Sequence, residues 1–278
     1  MTGNVAEQRY VDQGLLARAV AHLAGPDATV LAVRTLPINA GVSGVAVRRL
    51  AVQVAAAGVL HVVVKPCSRQ ERVTLALLDG LRSVPRVFVD ETSRAALEDV
   101  VMLDAGETLL GFDERAKRLA ALALSEVHAR FLGRHQELAA LAPLTQDYLE
   151  EFIVAGCWRP AWQRAVTDDY HGHVFDTGDR AVVIDWGQAR RAPLFLDLGD
   201  TFDTPVSGRI YQQALAARGV LLGDDVFSRG HGLSLRFAGI RYLWWWLDSW
   251  LADPQDWNRS GLVRTLAMAA GTAALPIE

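Results

Sequence analysis

Residues 9–24, RYVDQGLLARAVAHLA, return an apolar side chain every third or fourth position and stop at Gly25-Pro26, which predicts an N-terminal helix. The period then shortens. ATVLAVRTL, SGVAVRRLAVQVA and GVLHVVVK are rich in Val and Leu, and PINAG and AAAG separate them as turns, so residues 28–65 predict an antiparallel meander of three strands. SRQERVTLALLDGL follows with a helix-opening serine and Val73, Leu75, Leu77, Leu78 and Leu81 at helical spacing, and RVFVD and DVVMLDAG predict two more short strands.

From residue 112 long helical patterns replace the strands. FDERAKRLAALALSEVHARFLGRHQELAAL comes first, a segment with Trp158 and Trp162 comes next, and three helices follow residue 208. Between them TDDYHGHVF and VVIDWGQARR, residues 167–175 and 182–191, alternate like a short hairpin. The order predicts an α+β, bilobal chain: residues 1–106 as a small antiparallel β-sheet lobe with one helix, and 107–278 as a larger, mainly helical lobe.

With 278 residues, 51% of them hydrophobic, the chain has ample material for a packed core. Cys67 and Cys157 lack C-x-x-C spacing, and the first residues lack a basic segment followed by an apolar one. The longest apolar run, Leu50 to Val64, is interrupted by Gln53 and His61, so the expectation is a cytoplasmic protein with no membrane partner. A net charge of −4 with dispersed arginines leaves no footprint for nucleic acid. Of the 28 basic residues only Lys65 and Lys117 are lysines. Lys117 reads as a helix-surface charge, whereas Lys65 ends an apolar strand and invites a chemical explanation.

Phosphoryl transfer from ATP needs a glycine loop over the phosphates, a lysine on them, an acid holding that lysine, an aspartate orienting the acceptor hydroxyl, and carboxylates on Mg2+. Candidates stand in that order. The turn NAGVSG brings Gly41, Ser43 and Gly44, whose backbone approaches phosphate without Cβ interference at the glycines. Lys65 and Glu71 supply the ion pair, Asp168 the hydroxyl-orienting carboxylate, and Asp185 the metal ligand at the end of the strand AVVID. Singly these are ordinary turn, strand-end and first-turn residues. Their order is what points to chemistry.

The chain resembles the aminoglycoside phosphotransferase and choline kinase family of the protein-kinase-like fold. VVIDWGQARRAPLFLDLGD is similar to that family's V-I-D-W-E-x-A…G-D-P-x-x-D-L-A segment, LALSEVHARF to its L-A-x-L-H helix, and SGVAVRRLAVQ…HVVVKPCSRQERVTLALL to its glycine loop, lysine strand and glutamate helix. The resemblance covers most of residues 30–205. It implies ATP and Mg2+ as cofactors, Asp185 on the metal, and Asp197 as a structural carboxylate of the second lobe.

The family's H-G-D-x-H-x-x-N falls on Val166 to His173, so His-Gly is absent and His173 stands in place of the metal-binding Asn. Asp-x-Tyr-x-x-His is instead similar to the loop of lipopolysaccharide core kinases. A one-residue gap makes Asp169 the base instead of Asp168, and both remain open. Imidazole is a softer ligand than magnesium prefers, so His173 is expected to hold Mg2+ poorly. The interval from His128 to Asp168 is short for the family, which leaves Arg236, Arg241, Trp244 to Trp246 and Asp248 as candidate walls of an acceptor pocket. The expected function is transfer of the γ-phosphate of ATP to a hydroxyl of a small polar molecule such as an antibiotic or sugar. A pseudoenzyme acting through nucleotide or protein binding, or a peptide Ser/Thr kinase, are the competing readings.

Overall fold

A computed structural model of the chain describes residues 13–36, 47–55, 57–89, 98–103, 108–109, 113–148, 150, 174–183 and 192–272. In its first part β1 (Val30–Leu36), β2 (Arg48–Val54) and β3 (Gly58–Cys67) form the expected antiparallel meander. Gly58 has a φ of 77°, a left-handed conformation that glycine adopts without a Cβ penalty where β2 turns into β3. β4 (Arg86–Val89) and β5 (Glu98–Leu103) complete a five-stranded sheet of order β1-β2-β3-β5-β4. The exchange of β4 and β5 is a tertiary choice that hydrophobic alternation does not report.

The middle of the sheet, β2 and β3, buries both faces, because successive side chains of a strand point to opposite sides, whereas β1 at the edge is mostly exposed. On one face α1 (Gln13–Ala24) sets Leu15, Leu16, Ala19 and Val20 against Val52, Val62 and Val64. On the other, α2 (Arg69–Leu78) packs Leu75 and Leu78 against Val63 and Cys67. Lys65 stands two residues from each of Val63 and Cys67 in β3, so its side chain belongs to the α2 face.

The second part begins with β6 (Thr108–Leu109), followed by α3 (Glu114–Phe131), a 3-10 turn at Glu137–Ala140 and the single turn α4 (Gln146–Tyr148). β7 (Val174–Asp176) and β8 (Ala181–Val183) form a hairpin that β6 joins as a third strand. After a 3-10 turn at Leu194–Asp197 come α5 (Leu198–Thr201), α6 (Pro205–Ala216), α7 (Asp224–Ala252) and α8 (Asp256–Ala270). Their core joins Ala120 and Ala121 of α3 to Leu198, Phe202, Tyr211, Leu215 and Phe227. A further cluster connects the two parts, with Phe131 and Val127 of α3 packed beside Leu75, Leu78 and Val84.

Two elements differ from the sequence pattern. The helix expected over 112–141 ends at Phe131, where Leu132 is extended and Gly133 has a φ of 76°. Conversely α7 starts at Asp224, two turns before the apolar run; those turns hold Phe227 and His231 inward between polar and glycine residues, which dilutes the periodicity. Residue 106, expected at the boundary between lobes, lies outside the described residues. No helix among the described residues is long and apolar enough to cross a membrane.

α7 and α8 approach closely at Gly239, where an added Cβ would meet the backbone of Met268 and Ala269. Gly239→Ala is therefore expected to destabilise the protein by about 1–3 kcal/mol, measured by denaturant unfolding.

Candidate functional site

Lys65 and Glu71 meet because β3 ends at Cys67 and α2 starts at Arg69, so a single residue turns the chain. That residue, Ser68, caps the helix by accepting from the Glu71 amide at 3.2 Å, and the guanidinium of Arg72 donates to the Cys67 carbonyl at 3.0 Å. The geometry directs Glu71, in the first turn, back toward the strand. Lys65 Nζ lies 2.9 Å from Glu71 Oε1, with the two side chains 7% and 4% exposed. An ion pair this deep survives because each charge supplies what the other lost with its water. Beside it, burial first and the Glu71 carboxylate second push the Cys67 thiol up to about 12. The thiol therefore stays protonated at neutral pH and adds no charge of its own beside the ion pair.

The other expected site residues, Gly41, Ser43, Gly44, Asp168, Asp169, His173 and Asp185, lie outside the described residues. β7 begins one residue after His173 and β8 ends two residues before Asp185, so the described hairpin is the segment that joins these two positions. Among the described residues no three His, Cys, Asp or Glu side chains converge to hold a metal.

Deeper in the second lobe, α3 supplies His128. Its Nδ1 is 2.7 Å from Tyr211 Oη and its Nε2 is 3.5 Å from Asp197 Oδ2. Burial, reinforced by Asp197, raises the Tyr211 phenol above its ordinary value, so the phenol keeps its proton. A neutral imidazole carrying its proton on Nε2 satisfies both contacts: Tyr211 donates to Nδ1 and Nε2–H faces the carboxylate. Thus the 3-10 turn that carries Asp197 is tied to α3 and, through His128, to α6. In the sequence Asp197 and the helix of His128 stand out separately, and Tyr211 does not, because helical spacing alone reads it as core.

No family model matches the chain, and no curated protein matches it in sequence. Solved structures do. The spectinomycin phosphotransferase in complex with ADP and spectinomycin superposes with a TM-score of 0.50 at 9% identity, covering 88% of this chain and 92% of that one. The chain has the kinase-like fold. An aminoglycoside 2'-phosphotransferase in its GDP complex covers 90% of this chain and 95% of its own at 19% identity and a TM-score of 0.48. Choline kinase LicA from Streptococcus pneumoniae covers 88% and 95% at 13% identity and a TM-score of 0.47. The superposition at a TM-score of 0.50 bears out the expected α+β, bilobal architecture.

Within this kinase-like fold Lys117 is not the free surface charge that helix periodicity suggested. Its ammonium is 3.5 Å from Asp203, with the side chain 21% exposed, and Arg264 of α8 approaches the same carboxylate at 3.3 Å. The correction has a simple cause: periodicity gives the face of a helix, and the partner on that face comes from a segment 86 residues away.

Of the expected acceptor-pocket residues, Asp248 of α7 is distinctive. It is 7% exposed, and among the described residues no hydrogen bond or ion pair reaches its carboxylate. Desolvation accordingly raises its pKa. A carboxyl whose folded pKa is raised above its unfolded value contributes fully below the unfolded value, and that contribution is lost as pH rises through the folded value. At neutral pH the charge is therefore a burden. Asp248→Asn is expected to raise the thermal midpoint at pH 7 and to change it much less near pH 3, as read by calorimetry.

Proposed function

We propose that the chain is an ATP-dependent phosphotransferase acting on a hydroxyl of a small polar molecule. The observation that carries this reading is the buried Lys65–Glu71 pair, at 2.9 Å on the α2 face of the five-stranded sheet of a kinase-like fold. A lysine held by a carboxylate presents a fixed ammonium to phosphate oxygens, where a free lysine would lose rotamer freedom on every binding event. The solved structures of this fold include phosphotransferases bound to ADP and GDP, which supports nucleotide as the ligand.

In this reading the backbone of Gly41, Ser43 and Gly44 covers the phosphates, and Asp168 or Asp169 orients the acceptor hydroxyl by accepting its hydrogen bond. Asp185, with His173 nearby in sequence, would hold Mg2+, whose chemistry is to neutralise charge developing on the transferred phosphoryl group. The chain's own work is positioning: the ion pair fixes the phosphates, and the Tyr211–His128–Asp197 contacts brace the 3-10 turn that carries Asp197.

The test is direct. Magnesium-dependent binding of ATP and GTP is measured by calorimetry, and a panel of hydroxyl-bearing antibiotics, sugars and amino alcohols is screened by mass spectrometry for gain of one phosphate. Nucleotide binding with phosphate gain on a small acceptor is the expected result. Binding without any transfer, or transfer only to a peptide Ser or Thr, moves the function to one of the competing readings.

A further inference from the structure

The loop between α2 and β4 carries one residue, Ser83, whose backbone the second lobe grips on both its amide and its carbonyl. The Ser83 amide donates to Glu126 Oε2 of α3 at 2.8 Å, and the Val183 amide of β8 donates to the Ser83 carbonyl at 2.9 Å. Ser83 is 3% exposed, and its neighbour Val84, 6% exposed, packs in the cluster that contains Phe131 and Val127 of α3. The exposed pair Arg82–Asp179, at 3.7 Å, lies at the rim of the same junction and contributes little. The strong contact is the carboxylate on a backbone amide in a partly buried place, a charge-assisted hydrogen bond.

The placement of this grip gives it a consequence. Upstream of Ser83 runs α2, whose first turn holds Glu71 and through it Lys65. Val183, on the far side, ends β8, and Asp185 follows it by two residues in the sequence. The backbone of one residue thus links the element bearing the phosphate-binding pair to the strand leading to the expected metal ligand. We propose that Glu126 is a positioning residue: by holding the Ser83 amide it pins the two lobes at one angle, the angle at which Lys65 and the strand of β8 serve the same nucleotide. This rests on the phosphotransferase reading for its nucleotide, but the pinning itself does not.

A pinned protein spends its time in the binding-competent arrangement, and a nucleotide's apparent affinity falls in proportion to any loss of that fraction. Glu126→Gln keeps a carbonyl oxygen for the Ser83 amide, whereas Glu126→Ala removes the acceptor. Lobe separation is measured on the full chain by double electron–electron resonance between nitroxides at Val59→Cys and Val226→Cys, positions 53% and 57% exposed on β3 and α7. Cys157→Ser removes the second native thiol, and Cys67, fully buried with its thiol pushed up to about 12, stays unlabelled.

The expected result is one narrow distance in the parent protein and in Glu126→Gln, and a broad distribution in Glu126→Ala. Magnesium-ATP affinity is expected to fall about tenfold in Glu126→Ala and to stay within about twofold in Glu126→Gln. A role in stability alone would lower the melting temperature without broadening the distance well below it. If Glu126→Ala does not fold, Glu126→Asp, one methylene shorter, makes the same comparison. A narrow distance in the acceptor-deficient variant, or unchanged affinity in a protein that binds nucleotide, overturns the proposal. If Lys65→Ala weakens binding and Glu126→Ala changes neither readout, the pin fails and the phosphotransferase reading stands. If the parent protein binds no nucleotide, that reading fails, and the distance distribution alone decides whether Glu126 pins the lobes.

Discussion

Lys65→Ala is expected to weaken magnesium-ATP binding by about a hundredfold or more, because the phosphates lose their fixed cation and Glu71 is left as a bare carboxylate in their place. The same substitution leaves a 4%-exposed charge without its partner. Breaking a buried pair from one side costs about 3–5 kcal/mol, whereas exchanging both members for apolar residues of similar volume is close to neutral. Lys65→Ala is therefore expected to lower unfolding stability by that amount. Lys65→Met combined with Glu71→Leu should recover most of it while still failing to bind nucleotide. Lys65→Arg separates the two effects: it retains the charge, but its planar fork does not reproduce a point ammonium between a carboxylate and phosphate. Calorimetry for binding and denaturant titration for stability read the series. Nucleotide affinity in the double variant equal to that of the parent would remove Lys65 from the site. Lys117→Ala does not serve as a neutral comparison, since it disconnects Asp203 from α3.

Asp185→Asn is expected to abolish magnesium-dependent nucleotide binding, and Asp168→Asn to lower turnover by about 10²–10⁴ while leaving binding largely intact. The contrast follows from the roles. A metal ligand acts in the bound ground state, whereas a residue that orients the acceptor hydroxyl acts when the phosphoryl group moves. Binding isotherms with and without magnesium, paired with single-turnover measurements, resolve the two. Should Asp169→Asn be the inactive variant and Asp168→Asn behave as the parent, the base is Asp169 and the loop aligns with a one-residue gap. Normal turnover in both variants would remove the hydroxyl-orienting role from this loop.

The elements that local chemistry dictates were legible in the amino-acid sequence. The Val- and Leu-rich alternation of 28–65 is the β1–β2–β3 meander, and SRQER opens α2 with the Ser68 cap. The reading of 167–191 as a hairpin holds for Val174–Asp176 and Ala181–Val183. The proximity of Lys65 to Glu71 was legible too, because one strand end, one capping serine and one helical turn fix it within six residues. Contacts between distant segments were not. That β5 inserts between β3 and β4, that Lys117 meets Asp203, that Tyr211 meets His128 across 83 residues, and that Ser83 is gripped by Glu126 and Val183 all depend on which faces pack together. Periodicity states that a face is apolar or polar without naming what covers it. Side chains on α3 illustrate the division: the sequence determined that Lys117, Glu126 and His128 ride one helix, and only the tertiary structure decided their partners, because each is a charge or dipole that burial forces to find a complement wherever the fold provides one.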